Sequence, residues 1–175
     1  MTKWFQFTSV ILVSVFAVTG TANAQIRAGA HAGFDFDSSD LFVGINGTLP
    51  VMEVGDKTLL LNPEGSYWVT SDGFNLFIIS LNVLFPLTTG SLSAYAGGGI
   101  SISFFSFDAG DFGEFGDLFG LNNISTSSTD FGLNIKGGAE MGEGKMRPFG
   151  EAGYIFNEGG FLFAQGGIRV QVGGD

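Results

Sequence analysis

The sequence predicts an all-β protein: an eight-stranded antiparallel up-and-down transmembrane β-barrel, preceded by a cleaved signal peptide. Three observations predict it. After residue 24, short runs of alternating apolar and polar residues follow one another, separated by Gly-, Asp- and Ser-rich breaks. That is the period-two pattern of strands with two chemically different faces. An export-type leader precedes the runs. The composition, with 29 Gly, 20 Phe, 45% hydrophobic and only 14% charged residues, supplies few charges for a soluble surface. No segment after the leader is long and apolar enough for a transmembrane helix. In lipid, backbone groups are satisfied internally only by helices or closed barrels, which leaves the barrel.

The leader is residues 1–24. Lys3 supplies a positive n-region, Val10 to Val18 an apolar core, and Ala22-Asn23-Ala24 a small-x-small cleavage site. The remaining 25–175 form one domain on the usual length prior. The chain has no cysteine, which excludes disulfides, thiolate metal sites and a lipidated N-terminal Cys. The net charge of -10 argues against a nucleic-acid partner, whose phosphates it would repel.

Eight runs follow. The first, Gln25 to Asp35, sets Ile26, Ala28, Ala30, Ala32 and Phe34 against Arg27, Gly29, His31, Gly33 and Asp35. The second, Leu41 to Val51, places Leu41, Val43, Ile45 and Leu49 on one face. The third, Thr58 to Val69, opposes Leu59, Leu61, Pro63, Tyr67 and Val69 to Leu60, Asn62, Glu64, Ser66 and Trp68. Pro63 cannot donate to a ladder and suggests a bulge. The fourth, Phe74 to Phe85, is apolar on both faces. The fifth, Ser91 to Phe107, opposes Leu92, Ala94, Ala96, Ile100 and Ile102 to a face of Ser, Gly and Tyr95. A long irregular segment, about 108–128, separates it from the sixth, Thr129 to Met141. There Phe131, Leu133, Ile135, Ala139 and Met141 oppose Asp130, Asn134, Lys136 and Glu140. The seventh is Met146 to Phe156. The eighth, Phe161 to Val172, sets Leu162, Ala164, Ile168, Val170 and Val172 against Phe163, Gln165, Arg169 and Gln171.

A soluble barrel turns its apolar faces inward, whereas an outer-membrane barrel turns them to lipid and fills its interior with the polar faces. Continuous apolar faces and the shortage of surface charge favour the second arrangement.

Several segments carry a resemblance: Leu59 to Trp68, Tyr95 to Ile100, Phe131 to Glu140 and Pro148 to Tyr154. In them the chain resembles the small eight-stranded outer-membrane β-barrel family, the OmpX-like and opacity-type surface proteins. The resemblance covers essentially all of 25–175 and implies fold and location, with hardly any chemistry. Such barrels commonly end on an aromatic residue, whereas this chain ends Val172-Gly173-Gly174-Asp175. With a periplasmic N-terminus, the turns near 53–57, 87–91 and 142–145 face the periplasm. Segments 36–40, 70–74, 106–128 and 157–160 then face outside, which puts the longest loop outside.

The interior face collects charges: Arg27, Glu64, Lys136, Glu140, Arg147, Glu151 and Arg169. A 142–145 loop that pairs Met141 with Met146 puts Glu140 opposite Arg147 and Lys136 opposite Glu151. Such a network fills and rigidifies a closed lumen, as expected of an eight-stranded barrel. The rival reading is a polar ion path or a small ligand cavity, with room left by Gly97, Gly99 and Gly153. His31 is the only histidine. Ser38 or Ser39 with Asp35 or Asp40 could be assembled around it as a triad, yet no nucleophile lies at a recognisable spacing. One histidine and no cysteine support no metal site, and no cofactor motif is present.

The segment Asp108 to Gly120 repeats an acidic-Phe-Gly step. Its spacing fits no calcium loop well, and Phe112, Phe115 and Phe119 are its candidate contacts with a partner. The expectation is a monomeric, porin-like but filled barrel, integral to the outer membrane of a Gram-negative bacterium. It contacts lipid and lipopolysaccharide, and it serves a non-enzymatic structural or surface-interaction role. An extracellular protein or surface ligand would bind through loop 106–128. The alternatives are a lipid A-modifying enzyme using His31 and a soluble periplasmic ligand-binding barrel.

Overall fold

The computed structural model describes residues 26–70, 74–108, 125–157 and 159–172. The leader expected over 1–24 lies outside the described residues, as do Phe112, Phe115 and Phe119. Eight strands follow in chain order: β1 Arg27–Asp35, β2 Leu41–Val54, β3 Lys57–Val69, β4 Phe74–Pro86, β5 Leu92–Asp108, β6 Ser125–Met141, β7 Met146–Phe156 and β8 Phe161–Gln171. Each pairs antiparallel with its neighbours, and β1 pairs with β8, which closes the barrel. Closure leaves none of the eight strands as a sheet edge, which removes the usual hazard of a long unpaired edge.

Strand β6 begins at Ser125 rather than at the predicted Thr129, whereas β5 ends at Asp108, within one residue of its predicted limit. Their ladder extends to Asp108↔Ser125; the part of the expected irregular segment over 109–124 lies outside the described residues. The two ends of the barrel differ. The end nearest Arg27 and Gln171 carries the β2–β3, β4–β5 and β6–β7 turns, and is called the terminal end below. The loop end carries the other connections. Tight turns suit the terminal end: Gly55, between Val54 and its ladder partner Lys57, takes φ 65°, a conformation with little cost only for glycine.

The alternating faces lie as a membrane barrel requires. Leu133 and Ile45 are 63% and 65% exposed on the outside, whereas Lys136 and Arg169 are 6% and 0% exposed inside. Leu49 is an exception on the apolar face: it is buried, and its neighbourhood includes Gly47 and Pro63.

Pro63 causes no bulge of its own. It stays in register opposite Leu81, and the β2–β3 register shifts instead between Pro50 and Met52. Facing β2, pairing lapses between Asn46↔Glu64 and Leu49↔Leu61. There the Asn62 side chain donates to the Gly47 carbonyl at 2.7 Å, replacing the donor that proline lacks.

The β6–β7 register differs by two residues from the one the 142–145 loop suggests. Glu140 pairs with Phe149, Gly138 with Glu151 and Lys136 with Gly153. Glu140 is therefore not opposite Arg147, nor Lys136 opposite Glu151. The next pair would set Met141 against Pro148, which has no N–H for the ladder. Met146, Arg147 and Pro148 pair with β8 alone. A two-residue shift preserves side-chain parity, so the same charges still point inward.

Candidate functional site: the charged lumen

The interior is layered. At its centre Arg169, fully buried on β8, is held from four strands. Its Nε donates to Asn46 Oδ1 at 2.9 Å, its Nη1 to Glu140 Oε1 at 2.7 Å and Tyr95 Oη at 2.9 Å, and its Nη2 to Glu151 Oε1 at 2.6 Å. The guanidinium also lies 3.9 Å from the Phe149 ring centroid, a cation–π arrangement. The Tyr95 hydroxyl donates to Glu151 Oε1 at 2.7 Å. The second Glu151 oxygen accepts from Lys136 at 3.2 Å and from Gln165 at 2.6 Å. Lys136 also reaches Glu64 at 2.9 Å. Toward the terminal end, Glu140 Oε2 is shared by Arg27 at 3.5 Å and Arg147 at 3.9 Å.

Charges taken out of water persist only when paired and hydrogen-bonded, and here Glu64, Glu140 and Glu151 each face at least one cation. The sequence reading placed the seven charges on one face, and the structure brings them into two linked groups: Glu64 and Glu151 around Lys136, and Glu140 among Arg27, Arg147 and Arg169. Glu151 joins the groups by touching both Lys136 and Arg169. Asn46, Tyr95 and Gln165 belong to the same network and were not among the predicted members. Tyr95 and Gln165 fall on polar faces of their strands, yet nothing in their local sequence marks them as partners of a charge 74 residues away or of one 101 residues away.

Beyond this layer, toward the loop end, Phe42, Trp68, Leu76, Ile78, Ile155 and Phe163 form a buried apolar cluster. Phe42 stacks on Trp68 with ring centroids 4.3 Å apart. These residues explain why β4 is apolar on both faces: its inward side chains complete the cluster while Phe77 and Ile79 face out. Between cluster and charges lies a cavity of about 10 Å³ bordered by Glu64, Asn82, Asn134, Lys136 and Gln165. That is room for roughly one water. The space expected beside Gly97, Gly99 and Gly153 is filled. A Cβ at these positions would meet Leu84, Asn82 and the Phe163 ring respectively.

His31 is buried in this lumen, 5% exposed. Its Nε2 lies 3.0 Å from Ser66 Oγ and its Nδ1 lies 3.1 Å from Asn46 Nδ2. The ring's hydrogen-bond partners are thus Ser66 and Asn46, and not Ser38, Ser39, Asp35 or Asp40. Asp35 instead caps the following turn, accepting from the Asp37 and Ser38 amides at 2.9 and 3.4 Å. Ser66, His31 and Asn46 have the outline of a nucleophile, base and orienting group. The polarity runs the wrong way for that task. Arg169 Nε can only donate, so it requires Asn46 Oδ1, and Asn46 must then offer its NH₂ to His31 Nδ1. The imidazole proton therefore sits on Nε2 and donates to Ser66, where a general base would accept. Among the described residues no group of three or more His, Asp or Glu side chains is arranged to hold a metal ion.

No protein-family model matches the chain. No curated protein matches it either. Solved structures do match in fold. The N-terminal β-barrel domain of Pseudomonas aeruginosa OprF superposes with a TM-score of 0.63 at 13% identity, covering 86% of this chain and 100% of that one. The attachment invasion locus protein Ail of Yersinia pestis gives 0.58 at 12% identity, covering 85% and 96%. The outer membrane enzyme PagL gives 0.52 at 12% identity, covering 83% and 99%. The fold is therefore the eight-stranded transmembrane β-barrel found in outer-membrane proteins.

Proposed function

We propose that this chain is an integral outer-membrane protein of a Gram-negative cell, non-enzymatic, with a filled lumen and a surface-interaction role served by its outer loops. One observation carries the reading: a closed barrel whose outside is apolar and whose charged side chains are buried within. Leu133, Ile135, Ile168 and Val170 are 40 to 63% exposed, whereas Glu140, Glu151 and Arg169 are at most 4% exposed. Water would penalise both faces of that arrangement, and hydrocarbon outside the barrel penalises neither. The ion pairs and the aromatic cluster occupy the lumen, which supports assigning function to the ends of the barrel. A surface role through the loops is supported by the long 109–124 connection, which contains Phe112, Phe115 and Phe119 among acidic and glycine residues. A hydrolytic role for His31 is disfavoured by its proton position and by the small cavity beside Ser66.

The test uses intact cells. Phe115 is replaced by a photoreactive phenylalanine analogue, and cells are irradiated in contact with candidate host or neighbour surfaces. A protein or glycan adduct at 115, lost when Phe112 and Phe119 become serine, is the expected result. Adducts to lipid alone would overturn the surface-interaction role. Recovery of the chain in the soluble periplasmic fraction would overturn the membrane location.

A further inference from the structure

We propose that the lumen's terminal-end vestibule binds a small oxyanion group, phosphate or carboxylate. The vestibule is a cavity of about 220 Å³, some twenty times the small space above it. Its rim includes Asp56, Thr88 and Thr89, all exposed, and its floor is Tyr95 and Arg169, both buried. The cavity is therefore open at one side and closed below.

Charge selects its occupant. Arg27, Lys57, Arg147 and Arg169 line it, against two lining carboxylates, Glu140 and Asp56, with Glu151 beneath, paired to Arg169 at 2.6 Å. This cationic pocket sits in a chain of net charge -10. Glu140 is committed mainly to Arg169, which its Oε1 meets at 2.7 Å. Its other oxygen serves both Arg27 and Arg147, at 3.5 and 3.9 Å. Both distances exceed the ~2.7–2.9 Å of a well-made charged hydrogen bond. Two guanidinium groups thus converge on one carboxylate oxygen, which sets two cationic forks side by side at the cavity wall. Guanidinium forks match carboxylate and phosphate oxygens in pairs. The Thr58 and Thr89 side chains line the same space, and Leu60, Leu84 and Pro86 add apolar wall that strengthens the attraction by lowering the local dielectric. Which compartment supplies the anion, the periplasm, rests on the membrane reading above; the binding itself does not.

The test uses the full chain folded in detergent micelles, titrated separately with inorganic phosphate, acetate and chloride at constant ionic strength. Backbone amide shifts at Thr58, Thr89 and Ser93 are the readout. Saturable, one-site shifts with phosphate or with acetate are expected, and whichever saturates identifies the headgroup. Affinity should fall at least about tenfold in Lys57→Gln and in Arg147→Gln, since each removes one charged contact. It should rise in Glu140→Gln, which takes away the resident competitor. Lys57 stands at the barrel's rim, so its variant keeps the measurement interpretable if a lumen variant does not fold. Shifts that stay linear with concentration, that chloride reproduces, or that Lys57→Gln leaves unchanged would overturn the site. Failure here leaves the fractionation result untouched, so the two readings stand or fall separately.

Discussion

Arg169 and Glu151 meet at 2.6 Å in the centre of the barrel, with neither side chain exposed. Around that contact the lumen's other charges are arranged, and their order of dependence can be tested. Lys136→Met leaves Glu64 and part of Glu151 without a cation, and should cost about 3–5 kcal/mol. The compensating change is at Glu64, whose ion-pair partner is Lys136, rather than at Glu151, whose removal also strands Arg169. Lys136→Met with Glu64→Leu should therefore recover stability, while Lys136→Met with Glu151→Leu should not. Urea titrations of detergent-folded protein, followed by heat-dependent gel mobility, would check it; equal midpoints for the two double variants would refute the order.

The outside should respond to charge according to depth. Leu133 lies midway along β6 and Met141 at its terminal end, and both are more than half exposed. In bilayers, Leu133→Arg is expected to cost about 2–4 kcal/mol and Met141→Arg about 0–1. Reversible unfolding from lipid vesicles measures both. Similar costs at the two positions would argue against a hydrocarbon boundary.

Phe42 holds the apolar cluster at the loop end, stacked on Trp68 and edge-on to Phe163. Phe42→Ala should lower stability by about 3–5 kcal/mol and shift the Trp68 fluorescence. The same ring lies across Gly33, where an added Cβ would strike it, so Gly33→Ala should act in the same direction. Unchanged unfolding midpoints in both variants would show that the cluster contributes no stability.

His31 should be found as the Nε2–H tautomer. Long-range proton–nitrogen correlation spectra of the folded protein would report a bare Nδ1 and a protonated Nε2. The opposite pattern would mean that Asn46 is turned around, and would reopen Ser66 as a nucleophile.

Asn62 should prove more important than an interior amide of its size suggests. Asn62→Leu leaves the Gly47 carbonyl without its donor, at about 1–3 kcal/mol. Restoring a backbone N–H with Pro63→Val in the same chain should recover part of the loss, read by the same urea midpoints.

The terminal-end turns and most strand limits were legible in the sequence, because the breaks at Gly55-Asp56, Gly90 and Gly142 coincide with changes in alternation. The loop-end limit of β6 was less so. Ser125 to Ser128 read as loop by composition, and become strand because β5 continues to Asp108 and offers them a ladder.

The sequence by itself determined which way most side chains face, with Leu49, close to the β2–β3 register shift, an exception. Parity depends only on the two-residue period of a strand, and a register slip of two residues leaves it intact, which is why Lys136, Glu140, Glu151 and Arg169 could be placed inside. Only the tertiary structure decided which of them touch. That choice follows from ladder offsets, here set where Pro148 ends the β6–β7 pairing, and from barrel closure, which brings Asn46, Tyr95, Glu140 and Glu151 from four separate strands onto one guanidinium. Contacts across a lumen are non-local, and no pattern along a single strand records them.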